Sequence, residues 1–222
     1  SINLKTFFTY SNKFLTSNLP SVSFSDTCIL NIRGGEYKKY SDFILPRSYW
    51  LDSIGYMQKM FNLKKFLIVT DDIHYSKSLF SHIPVISGSI FDCYLALYKA
   101  KYIISSNSTF SYFPIATSNS SKKYVIGPKY WSQFNASDGE WLSPCNIYRG
   151  WNWMNHSGQV ESYEQCLTLA TSTYNSYNCS HNIRINDYIQ LHKSKIPLSS
   201  CIPKSFKRLL ISMLRPWFPN FL

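Results

Sequence analysis

Short apolar segments alternate with helix-type segments between residues 27 and 127, and this alternation constrains the fold more than any other feature. The predicted strands are Cys28–Ile32, Phe66–Val69, Val85–Ile86, Tyr102–Ser105 and Tyr124–Ile126, and the predicted helices are Arg47–Phe61, Tyr75–Phe80 and Ile90–Lys101. Strands and helices that alternate in this way indicate a parallel sheet with right-handed crossovers. We therefore expect an α/β fold with a Rossmann-like parallel sheet.

Polar tripeptides follow three of these strands. They are Arg33-Gly34-Gly35, Thr70-Asp71-Asp72 and Asn107-Ser108-Thr109. Ligands of such sheets bind beyond the carboxyl ends of the strands. The third tripeptide lies in a serine-rich loop, residues 106–111, before a helix predicted to begin near Tyr112. Its hydroxyls, amide and helix N–H groups suit a phosphate or a sugar diphosphate, although serine and threonine also cap ordinary helices.

The arginine and the two aspartates of these segments are the first candidate ligand groups. The Arg33 guanidinium suits a diphosphate because it donates two parallel hydrogen bonds and keeps its charge. The alternative is a surface arginine in a Gly-Gly turn. Asp71 and Asp72 have three alternatives: binding a metal, capping a helix, or accepting hydrogen bonds from ribose hydroxyls and a guanine edge.

The overall charge of the chain limits its partners. Lys and Arg number 23 against 12 Asp and Glu, a formal net charge of +11. Nucleic acid, an anionic membrane surface or a phosphorylated substrate would each fit, as would solubility alone. No recognition helix, zinc finger or RNA-binding signature occurs, so we expect no nucleic-acid partner.

Cysteine spacing and hydropathy indicate the compartment. The six cysteines form no CxxC pair and have no histidines at metal-ligand spacing, so we expect reduced, mostly buried thiols. No signal peptide is visible, and no apolar run approaches the roughly 18 residues needed to span a bilayer. These features predict a cytoplasmic protein.

The composition of the sequence changes after residue 134. Residues 135–202 are aromatic-rich up to Trp153, with a helix predicted over Glu161–Tyr174 and an irregular segment after it. Trp141, Trp151 and Trp153 are either sugar-stacking residues of an acceptor site or core residues. Residues 203–222 predict a basic amphipathic helix, which lies either in a membrane interface or on the protein's own core. Its apolar residues Phe206, Leu209, Leu210, Met213 and Leu214 share one face.

Five ordered motifs in residues 27–134 resemble glycosyltransferase family 11, the α-1,2-fucosyltransferases that use GDP-fucose. They are Asn31-Ile32-Arg33-Gly34-Gly35-Glu36-Tyr37, Leu45-Pro46-Arg47-Ser48-Tyr49-Trp50, Val69 to Asp72, Asp92 with Ser106 to Phe113, and Val125 to Trp131. The resemblance implies a GT-B architecture, two Rossmann-like domains facing across a cleft, of which this chain supplies the nucleotide-binding half. Residues 1–26 would then be a remnant or linker in place of the amino-terminal domain.

The resemblance also implies roles for single residues. Arg33 would hold the diphosphate, and Glu36 would act as the general base. Asp72 and Asp92 would contact ribose or guanine, while the serine loop would line the phosphate site through Asn107, Ser108, Thr109 and Ser111. No metal or other cofactor is implied.

The implied reaction is inverting transfer of fucose from GDP-fucose to a sugar hydroxyl in bacterial O-antigen or capsule synthesis. The acceptor would be a glycan or a lipid-linked oligosaccharide at the inner membrane face. The chain departs from the family at Asn31, where the family has histidine, and at Gly34, where it has a second arginine. Either Lys38 or Lys39 supplies the cation instead, or the donor differs. Two alternatives therefore stay open: a transferase for another nucleotide sugar, and a non-catalytic nucleotide-sugar-binding subunit.

Overall fold

The structure, a computed structural model, describes residues 19, 22–40, 43–86, 88–118, 122–131 and 147–180, with backbone alone from 173 onward. In these ranges the strands are β1 (Thr27–Ile32), β2 (Lys65–Thr70), β3 (Val85–Ile86), β4 (Tyr102–Ser105), β5 (Tyr124–Pro128), β6 (Asn152–Met154) and β7 (Val160–Glu161). The helices are α1 (Arg47–Phe61), α2 (Ile73–Leu79), α3 (Ile90–Lys99), α4 (Thr109–Thr117) and α5 (Tyr163–Ser180), with a 3-10 helix over Gly35–Lys39.

The seven strands form one sheet in the order β3-β2-β1-β4-β5-β6-β7. Strands β1 to β6 pair in parallel, and β7 pairs antiparallel to β6. This confirms the expected α/β fold with a mostly parallel sheet. The first six strands have the order of a doubly wound Rossmann-like sheet, in which the direction of winding reverses between β1 and β4.

Both faces of the sheet are covered, which explains why its strands are almost wholly apolar. All six residues of β1 are buried, and its apolar residues divide between two apolar clusters on the two faces of the sheet. Ile29 packs in the cluster that includes side chains of α3, α4 and α5. Leu30 packs in the other cluster, which is closed by residues of α1 such as Trp50 and Met57. The result is a three-layer arrangement with the sheet in the middle.

Most predicted elements lie within one or two residues of their predicted bounds, and the larger differences are at the start of α4 and after β5. Helix α1 and strands β3 and β4 have the bounds predicted from the sequence. Helix α4 begins at Thr109, three residues before the predicted start, and α5 continues through Ser180, where an irregular segment was expected. Strands β6 and β7 were not predicted, and through them the sheet continues past residue 134.

The tryptophans at the start of β6 belong to the core. Trp153 is 2% exposed and Trp151 is 9% exposed, and their rings stack with centroids 5.6 Å apart. Of the two alternatives, packing is the one that the structure supports for this pair. Trp141 and the basic tail at 203–222 lie outside the described residues.

Three of the cysteines can be placed. Cys28, Cys93 and Cys166 are free and buried, as expected, and burial raises the pKa of each thiol.

The chain divides by its contacts into residues 1–171 and residues 172–222. Among the helices in the described part of the chain, none has both the length and the apolar character to cross a bilayer.

Candidate functional site

The turn after β1 and the serine loop after β4 lie side by side at the point where the sheet reverses its winding. The Ser106 N–H donates to the Asn31 carbonyl oxygen at 3.1 Å, and its hydroxyl donates to the Asn31 Oδ1 at the same distance. The Tyr37 hydroxyl donates to the Asn107 carbonyl oxygen at 3.2 Å. Two of the three polar segments that the sequence singled out therefore meet here.

The third segment, after β2, joins the same site through an ion pair. The Arg33 Nη1 lies 3.1 Å from the Asp71 Oδ2, and both side chains are only about one seventh exposed, at 13% and 15%. The other oxygen, Asp71 Oδ1, accepts the Gly34 N–H at 2.9 Å. The Arg33 Cζ also lies 5.5 Å from the centroid of the Tyr37 ring. The guanidinium is therefore held between a carboxylate and an aromatic face.

A second charge pair lies beside the first. The Lys38 ammonium contacts the Asp72 Oδ2, while Asp72 Oδ1 accepts the Tyr75 N–H at 3.0 Å and caps α2. Burial acts to raise the pKa of Asp72, but the hydrogen bonds from Lys38 and from the Tyr75 N–H outweigh it, so the pKa lies below its ordinary value. Asp72 is therefore a charged helix cap that also holds a cation.

The two glycines of the first turn allow the aspartates to approach this closely. A Cβ atom on Gly34 would lie 2.7 Å from the Asp72 Cβ, and one on Gly35 would lie 2.5 Å from the Asp71 Oδ2. Both distances are shorter than side-chain carbon atoms tolerate. The arrangement thus has no room at position 34 for the arginine found there in the family that the sequence resembles.

Hydrogen bonds within the serine loop occupy most of its predicted ligand groups. The Ser108 Oγ caps α4 by accepting the Phe110 N–H at 3.2 Å. The Asn107 amide donates to the carbonyl oxygens of Phe43 and Trp131. The Ser111 hydroxyl is fully buried, 2.6 Å from the Ser105 Oγ and 2.8 Å from the Ser108 carbonyl oxygen.

The side chains of Asn107, Ser108 and Ser111 thus shape the loop, and their direct contact with a ligand stays a prediction. Thr109 differs from them because it is exposed at the first position of α4. Of the four predicted loop residues, it is the one whose side chain is exposed. The backbone at this helix start has the polarity that favours a negative charge.

The two remaining candidates have separate positions. Glu36 is half-buried in the first turn of the 3-10 helix, directly after the Gly-Gly turn. Asp92 lies in the first turn of α3, where its N–H donates to the Ser89 Oγ at 3.2 Å and its carboxylate accepts the Ser89 hydroxyl at 2.7 Å. Asp92 therefore takes part in a reciprocal helix cap, and its contact with a nucleotide stays a prediction.

Sequence reasoning missed a buried charge cluster at the end of β5. The Lys129 Nζ lies 2.7 Å and 2.6 Å from the two carboxylate oxygens of Glu161. The Asn155 amide donates to the same carboxylate at 2.8 Å, and the Cys166 thiol lies 3.8 Å from it. Burial acts to raise the pKa of Glu161, but the hydrogen bonds from Lys129 and Asn155 keep it below its ordinary value.

Two cavities accompany these groups. One of about 40 Å³ borders the charge cluster beside Tyr130 and His156, and it is too small for a sugar. Another of about 400 Å³ lies near the start of β5, lined by Tyr112, Tyr148, Trp151 and other residues. Its lining residues Lys123 and Trp151 directly precede β5 and β6, so this cavity lies toward the amino ends of these strands, while the converging polar groups follow the carboxyl ends.

Neither a metal site nor a known relative identifies the function of the described residues. In the ranges that the structure describes, no group of three or more His, Cys, Asp or Glu side chains is placed to hold a metal ion. No protein family, curated protein or solved structure matches the chain. The fold and the site therefore define the class of protein no further than a Rossmann-like α/β domain with a cluster of charged and polar groups at its switch point.

The cap of α4 gives a first test of the loop. We expect Ser108→Ala to reduce the free energy of unfolding by about 1 kcal/mol, because the Phe110 N–H loses its acceptor. Chemical denaturation of the wild type and the variant measures the difference. Thr109→Ala is the matched control, since Thr109 is exposed at the neighbouring position. Equal stabilities for the wild type and Ser108→Ala would contradict the capping role.

Proposed function

We propose that this chain is the donor-binding domain of an inverting glycosyltransferase, with GDP-fucose as the donor and a sugar hydroxyl as the acceptor. The observation that supports it most directly is the convergence of the Arg33 turn and the capped start of α4 on the two strands that flank the switch point. Ligands of doubly wound sheets bind at that point. The motifs that resemble family 11 supply the choice of reaction and donor.

The charges at the switch point suit a leaving diphosphate. Transfer with inversion passes through an oxocarbenium-like state, and negative charge grows on the departing phosphate oxygens. Arg33 is a permanent cation at the carboxyl end of β1, and the start of α4 at Thr109 faces the same edge. Preorganised donors of this kind are usually the largest contribution to lowering such a barrier.

The remaining roles follow the same proposal. Glu36 follows the Gly-Gly turn directly and would accept the proton of the acceptor hydroxyl. Asp71 would keep the guanidinium in place, since it also binds the Gly34 N–H. In the proposed GT-B architecture a second domain would face this edge of the sheet across the cleft and carry the acceptor.

Calorimetric titration with GDP, UDP and GDP-fucose tests the donor assignment. We expect selective binding of GDP and GDP-fucose, weakened about ten- to hundredfold by Arg33→Ala, because a charge-assisted pair is lost. Arg149→Ala is the matched control: Arg149 is exposed and its Cζ lies 5.5 Å from the centroid of the Tyr163 ring, so it belongs to a different group of contacts from Arg33.

The outcomes separate the alternatives. Selective UDP binding would assign a different donor. Binding that Arg33→Ala leaves unchanged would place the nucleotide elsewhere on the chain. If no nucleotide binds, the donor-binding proposal is wrong for this chain. Once GDP-fucose binding is shown, release of GDP on addition of a glycan acceptor distinguishes an enzyme from a binding subunit.

A further inference from the structure

Lys38 lies close to the phosphate-binding turn that the proposed function requires. Its N–H donates to the Gly34 carbonyl oxygen at 3.0 Å, which fixes its backbone to the turn. Its ammonium contacts the Asp72 Oδ2, and half of its side chain, 50%, is exposed. The ammonium group is thus held by Asp72, while about half of the Lys38 side chain stays exposed to solvent.

The turn itself cannot supply this second cation. A side chain at Gly34 would collide with the Asp72 Cβ and with the Tyr75 ring, 2.7 Å and 2.8 Å from the Cβ position. A diphosphate carries at least two negative charges, and the one cation that follows β1 directly, Arg33, is shared with the Asp71 carboxylate. The ammonium of Lys38 is brought to the same turn by Asp72, whose carboxylate lies 3.1 Å from the Gly34 Cβ position.

We propose that Lys38 is the second phosphate-binding cation of the site and that Asp72 occupies its ammonium until a phosphate replaces the carboxylate. This inference rests on the proposed function, because it assumes a diphosphate at the turn. It differs from the role that the sequence resemblance implied for Asp72, which was contact with ribose or guanine. In the structure both oxygens of Asp72 have partners, Tyr75 and Lys38.

The proposal makes opposite predictions for the two members of the pair. Lys38→Ala removes a cation, and we expect GDP and inorganic pyrophosphate to bind about tenfold more weakly. Asp72→Asn keeps an oxygen that can cap α2 but removes the competing charge, so we expect both ligands to bind about two- to fivefold more tightly. A ribose-binding Asp72 would instead lose affinity for GDP and keep its affinity for pyrophosphate.

Calorimetry on the full chain with GDP and with pyrophosphate provides the test, and Lys39→Ala is the matched control of equal charge change at the next residue. Circular dichroism and thermal melting confirm that each variant folds. Weaker binding in Lys38→Ala than in Lys39→Ala supports the proposal. Equal binding in the two variants overturns it while the proposed function stands. If the wild type binds neither ligand, the proposed function fails, and this inference fails with it.

Discussion

Lys129→Met is expected to lower the free energy of unfolding by about 3 kcal/mol, because breaking a buried ion pair leaves the other charge uncompensated. The Lys129 side chain is only 8% exposed, and its ammonium contacts both oxygens of Glu161. We place the cost at the lower end of the usual range because Glu161 is 19% exposed and keeps the Asn155 amide as a partner. Urea denaturation at neutral pH measures the difference.

The double variant Lys129→Met/Glu161→Gln allows the interaction energy between the two charges to be measured. Without either charge, the remaining amide still accepts from Asn155, so the double variant should be more stable than Lys129→Met alone. A coupling energy of at least about 1 kcal/mol in the double-mutant cycle would show that the two charges stabilise each other. Lys129→Met with wild-type stability would contradict the ion pair.

The same pair predicts a pH dependence with a definite sign. The pKa of Glu161 is lower in the folded protein than its ordinary value. Its contribution to stability is therefore fully present above the ordinary glutamate pKa and is lost as the pH falls through the folded pKa. We expect the stability difference between wild type and Glu161→Gln to shrink between neutral pH and about pH 3. A difference that stays constant across this interval would exclude the linkage.

The sequence predicted the sheet centre because local signals agree there. The apolar runs at β1, β2 and β4 are short and end abruptly in polar residues, so the strands and, to within one residue, their carboxyl ends could be predicted. The start of α4 was placed too late because Thr109, Phe110 and Ser111 are modest helix formers. In the structure the Ser108 cap outweighs that weak propensity and begins the helix at Thr109.

Strand β6 could not be predicted from its three residues. Asn152–Met154 lies in a glycine-dotted aromatic segment with no alternating pattern, and it becomes a strand only through pairing with β5. The packing partner is equally non-local: a Cβ atom on Gly127 would lie 2.9 Å from the Trp153 ring, so the absence of a side chain there makes room for the tryptophan. The strand and helix propensities of single residues do not predict such contacts between distant parts of the chain.

The ion-pair partners of the charged residues could not be predicted from the sequence either. Arg33, Asp71 and Asp72 were identified as candidates because they follow strands. That Asp71 pairs with Arg33 and Asp72 with Lys38 depends on the register of β1 against β2, where Ile32 lies opposite Thr70. Lys129 and Glu161 are 32 residues apart and meet only because β7 folds back on β6.

Gly34→Ala is the second variant with a large expected effect, a loss of about 2 to 3 kcal/mol in the free energy of unfolding. The new Cβ would lie 2.7 Å from the Asp72 Cβ, an atom fixed close to the backbone, so the β1 and β2 ends must separate. That separation would also disturb the Gly34 N–H bond to Asp71.

The matched control for Gly34→Ala is a substitution that we expect to raise the free energy of unfolding. Gly55 lies inside α1 with no atom near its Cβ position, so Gly55→Ala should stabilise the protein by about 0.5 to 1 kcal/mol through helix propensity alone. Denaturation of both variants compares the two positions directly. Equal effects of the two substitutions would mean that the close approach at the turn is absent. Opposite effects would show that position 34 is glycine because Asp72 and Tyr75, which follow β2, occupy the space that a side chain would need.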